Sequence, residues 1–264
     1  MDQQDVLYVK EEGIATLTLN RPDVRNAYVP GIVEGIYQGL EQARGDSEVR
    51  VLVITGTGQA FCSGADVKSM GTNEQQPSTL RYKKGNRSRL NWLSLALQKC
   101  DKPIIAAING VAVGGGLDLA LGCDIRIASD KARFSEIYVR RGIIPAQGGV
   151  FLLPRLIGLD KACQMILTGE MIEAHEAERI GLVTKVVLHE ELEHTTRDLA
   201  EKLAKSAPLA VQEAKRAIYK SLDTDLASSL EYTDSVQRDL IASDDHKEGA
   251  AAFIEKREPV FKGK

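Results

Sequence analysis

Three consecutive glycines, Gly114-Gly115-Gly116, separate an apolar run from a short apolar segment, and Asp118 follows Gly115 by three residues. On a helix that spacing puts Gly115 and Asp118 on one face. Glycine lets a ligand approach the main chain, and a helix N-terminus offers unpaired N–H donors with a favourable dipole. One segment would then supply both a donor for developing negative charge and a carboxylate base. A plainer reading also fits, in which the glycines allow tight strand–helix packing and Asp118 complements the first turn. An earlier pair, Gly56 and Gly58, starts like a dinucleotide fingerprint but has Phe61 where the third glycine belongs. No GK[ST] occurs, which excludes a P-loop. His189 and His194 are five apart and fall on different helix faces, so no metal site is expected. Ser63 lacks a GxSxG elbow and an evident histidine partner, which argues against a serine hydrolase.

The elements that must hold these residues alternate between strand and helix in the first third of the chain. VLYVKEEGIATLTLN predicts two strands hinged at Glu12-Gly13. RPDVRNAY is a turn, and Pro30 opens a helix with Ile32, Ile36 and Leu40 at helical spacing. RVLVI (50–54) and KPIIAAINGVAV (102–113) each read as a strand buried on both faces. Between them lie a glycine-rich loop, a polar insert at 73–89 expected to be mobile, and a helical stretch at 90–100. GGGLDLALGCD predicts a turn feeding a short helix, and IRIASD a strand. The stretches 148–166 and 172–180 have helical periodicity, VTKVV is extended, and 190–256 reads as helical with Pro208 restarting one helix. The pattern divides the chain into a β/α core, residues 1–190, and a helical C-terminal region, residues 191–264.

Composition bounds the function. The 264 residues are 43% hydrophobic and 27% charged, within the range of folded globular chains. A net charge of -3 argues against a dedicated nucleic-acid binder. RYKKGNRSR (81–89), with five basic residues, one tyrosine and no acid, keeps a nucleic-acid-binding module as the reading from a different class; a solvated loop is the other account. Cys62, Cys100, Cys123 and Cys163 are dispersed with no CxxC pair, which fits a reducing compartment. The polar N-terminus has no signal-peptide pattern, and no run of about 18 apolar residues occurs, so a cytoplasmic protein without a membrane span is expected.

AFCSGADVKSM (60–70) together with INGVAVGGGLDLALGCDIRIAS (108–129) resembles the crotonase, or enoyl-CoA hydratase/isomerase, superfamily. LNRPDVRNA, RRGIIPAQGG (140–149), LTGEMIEAHEAERIGLV (167–183) and FIEKREPVF match in family order over nearly the whole chain. The resemblance implies an α/β fold, a β/α core of repeated ββα units with a helical C-terminal trimerisation region. It implies an acyl-CoA substrate whose thioester oxygen becomes an enolate held by the main-chain N–H groups of Ala65 and Gly115. Donors aimed at developing charge contribute about 3–4 kcal/mol each. It further implies that Val24 and Arg25 flank the adenosine of CoA and that Lys68 lies near its phosphates. Ser63, Gly64, Asp66, Val67 and Gly114 are expected to complete the substrate site. Phe253 and Lys256 are expected to reach the CoA of a neighbouring subunit in a homotrimer or pair of trimers. No cofactor is implied beyond the CoA that the substrate carries.

Hydratases of this family use two glutamates, and here the chain departs from them. The first position falls on Asp118, one methylene shorter, and the second on Tyr138, a hydrogen-bond donor but a poor base at neutral pH. Glu136 shares a face with Tyr138 if the segment is extended and diverges from it if helical. In the first case it supplies a base. Otherwise it is a surface or ion-paired carboxylate near Arg140 and Arg141. Ala146 stands where some members carry an acid, which counts against dienoyl-isomerase and dehalogenase chemistry. The expected reaction is hydration of a 2-enoyl-CoA, or of a cyclic or dienoyl-CoA, with isomerisation, thioester hydrolysis or C–C hydrolysis as alternatives on the same scaffold.

Overall fold

Glu12 and Gly13, both at positive φ (50° and 80°), reverse the chain between β1 (Val6–Glu11) and β2 (Ile14–Leu19), which pair antiparallel as the sequence predicts. The computed structural model describes residues 4–65, 81–82 and 87–264. Pro30 opens α1 (Pro30–Gly45), whose Ile32, Ile36 and Leu40 are buried. The remaining strands are β3 (Val51–Gly56), β4 (Ala60–Cys62), β5 (Arg81–Tyr82), β6 (Arg87–Ser88), β7 (Ile104–Ile108), β8 (Val111–Val113), β9 (Ile125–Ser129), β10 (Arg133–Ser135), β11 (Ile172–Glu173) and β12 (Lys185–Val187). A six-stranded sheet runs β1-β2-β3-β7-β9-β12, parallel from β2 onward, and a four-stranded sheet runs β11-β10-β8-β4. Most of the 73–89 insert lies outside the described residues, and at its end β5 and β6 pair antiparallel.

The segment 102–113 departs from the single expected strand. It forms β7 in the large sheet and β8 in the small one, broken at Asn109-Gly110. A Cβ on Gly110 would stand 2.1 Å from Gln59 O, and Asn109 Nδ2 donates to Gly58 O at 3.0 Å. The chain steps between sheets there because only glycine clears the neighbouring backbone. Helices α2 (Leu93–Gln98) and α3 (Gly115–Gly122) cover the same face as α1. The periodic stretch 148–166 divides at Gly158 (φ 81°) into α4 (Gly149–Ile157) and α5 (Leu159–Thr168). The stretch 172–180 begins as β11 before turning into α6 (Ala174–Arg179).

Alternation along β3 accounts for two cores. Leu52 and Ile54 face α1–α3, while Val51 and Val53 face the other side with Ile14, Ile105 and Ile127. Leu192 and Ala200 of α7 (Leu192–Lys205) close that second core. Next, α8 (Pro208–Ser221) is pinned by a buried ammonium. Lys215 Nζ bonds Asp124 Oδ2 at 2.7 Å and Lys102 O at 3.0 Å, and Tyr219 donates to Asp124 Oδ1 at 2.7 Å. The last helices are α9 (Leu226–Ala242) and α10 (Asp244–Glu255), which leave Leu226, Phe253 and Ile254 exposed. Among the described residues no helix is long and apolar enough to cross a membrane.

Candidate active site

Two turns press backbone against backbone at the centre of the molecule. After β4 the chain enters Gly64 at φ 80°, and Tyr28 N–H donates to Gly64 O at 2.8 Å, with Ala65 bridged to Tyr28. After β8, Gly114 (φ 53°, ψ −122°) turns the chain into α3, its N–H held by Ser135 O at 2.8 Å. A Cβ on Gly64 would lie 2.6 Å from Val113 O and 3.2 Å from Gly115 N, and one on Gly116 would lie 2.0 Å from Cys62 O. Contact this close requires glycine. Tyr28 fixes the start of the helix by donating its hydroxyl to Gly115 O at 2.9 Å. Gly115 opens α3, so its N–H has no helical acceptor. Among the described residues neither it nor Ala65 N–H donates a hydrogen bond.

Asp118 sits one turn into α3 and is fully buried. Its carboxylate does not cap the helix. Oδ2 accepts a short hydrogen bond from the Tyr138 hydroxyl, and Oδ1 has no partner among the described residues. Burial raises its pKa from 3.8 to about 6, against the opposing pull of the Tyr138 hydrogen bond. Burial and the neighbouring Asp118 push the Tyr138 phenol far above its usual value, so it stays protonated.

Glu136 overturns the surface alternative. It is fully buried, neither carboxyl oxygen is hydrogen-bonded among the described residues, and Arg140 turns away to donate to Thr168 O at 3.0 Å. The expectation that a helical segment would part Glu136 from Tyr138 also fails. Residues Ile137–Arg141 form a 3-10 turn, yet the bend at Glu136 (φ −91°, ψ 63°) sends both side chains toward Asp118. Gly149 lies between the two acids, since a Cβ there would stand 2.7 Å from Asp118 Oδ1 and 2.8 Å from Glu136 Oε1. Burial, then the Asp118 charge, raises Glu136 from 4.5 to about 10. Its carboxyl is therefore neutral at pH 7.

That protonation has a measurable consequence. Above pH ~4.5 the unfolded chain releases a proton that the folded chain keeps, so Glu136 lowers stability progressively as pH rises toward ~10. Glu136→Gln removes this loss, while any penalty for burying the amide does not vary with pH. The melting temperature of the variant minus that of the parent is expected to grow by several degrees from pH 5 to pH 8. A constant difference in thermal unfolding across that range refutes a protonated Glu136.

The other expected site residues divide. Val24 and Arg25, exposed on the turn after β2, are drawn to the first turn: Ser63 N–H donates to Arg25 O at 3.0 Å and Ser63 Oγ to Val24 O at 3.4 Å. Asp66, Val67 and Lys68 lie outside the described residues. Phe253 and Lys256 stand exposed at the end of α10, which packs on α9, and no hydrogen bond links them to these turns. Among the described residues no group of His, Cys, Asp and Glu is arranged to hold a metal. His194 is exposed beside Asp198, and His189 Nδ1 meets Ser129 Oγ at 3.0 Å. In the 81–89 segment, the Arg89 guanidinium pairs with Glu34 and lies 4.8 Å from the centre of the Tyr37 ring. Three residues that the spacing did not single out also build the site. Ser94 Oγ ties Asp118 O (3.1 Å) to Gln147 O, Gly149 separates the acids, and the Gln147 side chain lies over Gly115. The PAQGG string hinted at Gln147 and Gly149, and nothing local hinted at Ser94.

The chain is similar to known proteins over nearly its whole length. The family model described as enoyl-CoA hydratase/isomerase matches residues 9–264. A short-chain-enoyl-CoA hydratase of Clostridium acetobutylicum is 37% identical, over 97% of this chain and 97% of its own. An (E)-benzylidenesuccinyl-CoA hydratase of Thauera aromatica is 40% identical, over 95% of this chain and 96% of its own. The crystal structure of an enoyl-CoA hydratase from Bacillus anthracis is similar with a TM-score of 0.93 at 36% identity, covering 99% of this chain and 100% of that one.

Proposed function

The chain belongs to the enoyl-CoA hydratase/isomerase family, and we propose that it hydrates a 2-enoyl-CoA through a thioester enolate, with Asp118 as its one ionised acid–base group. The observation that carries this reading is the buried Asp118 carboxylate, held by Tyr138 on the helix that begins with Gly115, whose N–H donates no hydrogen bond among the described residues. The thioester oxygen sits between Ala65 N–H and Gly115 N–H. Asp118 takes a proton from water as its oxygen bonds to Cβ, and the π pair moves through Cα to the thioester oxygen. The same carboxyl then returns the proton to Cα. Glu136, neutral, keeps a second negative charge away from Asp118. No cofactor enters beyond the CoA of the substrate.

Isomerisation is the second reading, favoured by the same observation. A single carboxylate can remove a proton from one carbon and return it to another, with no second acid. Val24, Arg25, Ser63 and Gly64 take the CoA arm, along with Gly114 and the 66–68 segment. The exposed Phe253 and Ile254 support contact of α10 with a neighbouring subunit, in a trimer or pair of trimers, where Phe253 and Lys256 meet that subunit's CoA. The dispersed cysteines support a reducing, cytoplasmic setting.

The test is incubation of the purified protein with 2-enoyl-, dienoyl- and 3-oxoacyl-CoAs, with products identified by mass spectrometry. Gain of one water supports hydration, and a product of unchanged mass but altered retention supports isomerisation. No conversion of any of them defeats the reading. Tyr138→Phe is expected to lower kcat by about 10–10²-fold with KM nearly unchanged, because the phenol orients the base rather than the ligand. A KM effect alone would make Tyr138 a binding residue.

A further inference from the structure

Gln147 has the only polar side chain between Pro145 and Gly149, and it is 8% exposed. Its Oε1 would lie 2.8 Å from a Cβ on Gly115, so the carboxamide rests on the residue that opens α3. The main chain beneath it is fixed. Ser94 donates to Gln147 O and Asp118 O, Gly148 follows at φ 122°, and Gly149 fits between the two acids. A carboxamide carries two donors and an acceptor, yet this one has no hydrogen-bond partner among the described residues. Its amide atoms are not among the fully buried unpartnered atoms of the described residues, so the carboxamide reaches accessible space at the site, where a ligand can meet it. Three other polar groups of the site already have a task, while Asp118 Oδ1 and the Glu136 carboxyl lie unpaired among the described residues. In the acyl-CoA reading, on which this inference rests, Ala65 N–H and Gly115 N–H serve the thioester oxygen, and Tyr138 serves Asp118. The carboxamide is left over, facing the space beside the thioester.

We propose that Gln147 is a specificity-determining residue whose carboxamide hydrogen-bonds an oxygen-bearing substituent on the acyl chain, a hydroxyl, oxo or carboxylate group. The substrate class is then oxygen-substituted enoyl-CoAs rather than plain alkenoyl-CoAs. A site built to hydrogen-bond a substituent discriminates strongly against the analogue lacking it, because its own polar group is then stranded.

The experiment compares kcat/KM for two enoyl-CoAs of equal chain length, one ending in a methyl group and one in a carboxylate, with a hydroxyl-terminated third. The parent is expected to favour the oxygen-bearing pair by at least about tenfold. Gln147→Met should reduce that preference to near unity, with the larger loss on the oxygen-bearing pair. Should the Met variant not fold, as judged by thermal unfolding, Gln147→Glu serves instead. It is expected to reject the carboxylate-terminated substrate while keeping the hydroxyl-terminated one. A parent that turns over all three equally overturns the inference and leaves the acyl-CoA reading standing. Parallel loss on every substrate in the Met variant also overturns it, since Gln147 would then be holding water or structure. A parent that turns over none of these, nor any other acyl-CoA, removes both readings.

Discussion

Asp118→Asn is expected to lower kcat/KM on every accepted acyl-CoA by about 10²–10⁴-fold, the scale of a lost general base. Three acidic side chains meet at this point, and burial treats them differently. Tyr138 is held protonated, Glu136, raised to about 10, is neutral at pH 7, and Asp118, raised only to about 6, is ionised there. Asparagine keeps the shape and can still accept from the Tyr138 hydroxyl, so the variant removes the base with little repacking. The pH profile supplies the second readout. In the parent, kcat/KM should fall tenfold per unit below pH ~6 as Asp118 takes up a proton. The residual activity of the variant should lack that limb. An Asn variant within threefold of the parent, with the limb intact, would take Asp118 out of the chemistry.

Glu136 explains why part of this site was readable from sequence and part was not. The β1–β2 hinge, α1 and α3 follow from local signals: alternation, helical spacing, and glycine or proline at the ends. The Gly114–Asp118 unit is local too, so its geometry follows once a helix is granted. Glu136 depends on one backbone bend, ψ 63°, and on a glycine thirteen residues further on that leaves room for its carboxyl. Nothing in FSEIYVRRG distinguishes that from a surface acid beside two arginines. The break at Asn109-Gly110 was hidden for the same reason, since both β7 and β8 are apolar and differ only in the sheet they join. Nothing local to Lys215 points to Asp124, which lies 91 positions earlier in the chain and is paired with it only by the fold. Gln147 had its motif but no direction. Side-chain direction in an irregular segment is set by the main-chain ties that Ser94 makes, and these are long-range contacts.

Replacing Gly115 by proline and by alanine separates the main-chain donor from the space around it. Both variants add a Cβ, which would start 2.7 Å from Tyr28 Cε2 and 2.8 Å from Gln147 Oε1, so both must push those side chains aside. Only proline removes the N–H. The first position of a helix tolerates proline, and the residue before it must avoid the α region, which Gly114 at ψ −122° already does. The alanine variant therefore measures crowding, and the ratio of the two measures the donor, with the proline ring in place of the hydrogen. Proline is expected to lose a further ~10²–10³-fold in kcat relative to alanine, the effect of deleting one donor to an oxyanion. Thermal unfolding of the two variants should agree closely. Equal turnover by the two would mean that the negative charge is held elsewhere. The convergence of the Gly64–Ala65 and Gly114–Gly115 turns would then be a packing arrangement, and Asp118 would be left with no enolate to serve.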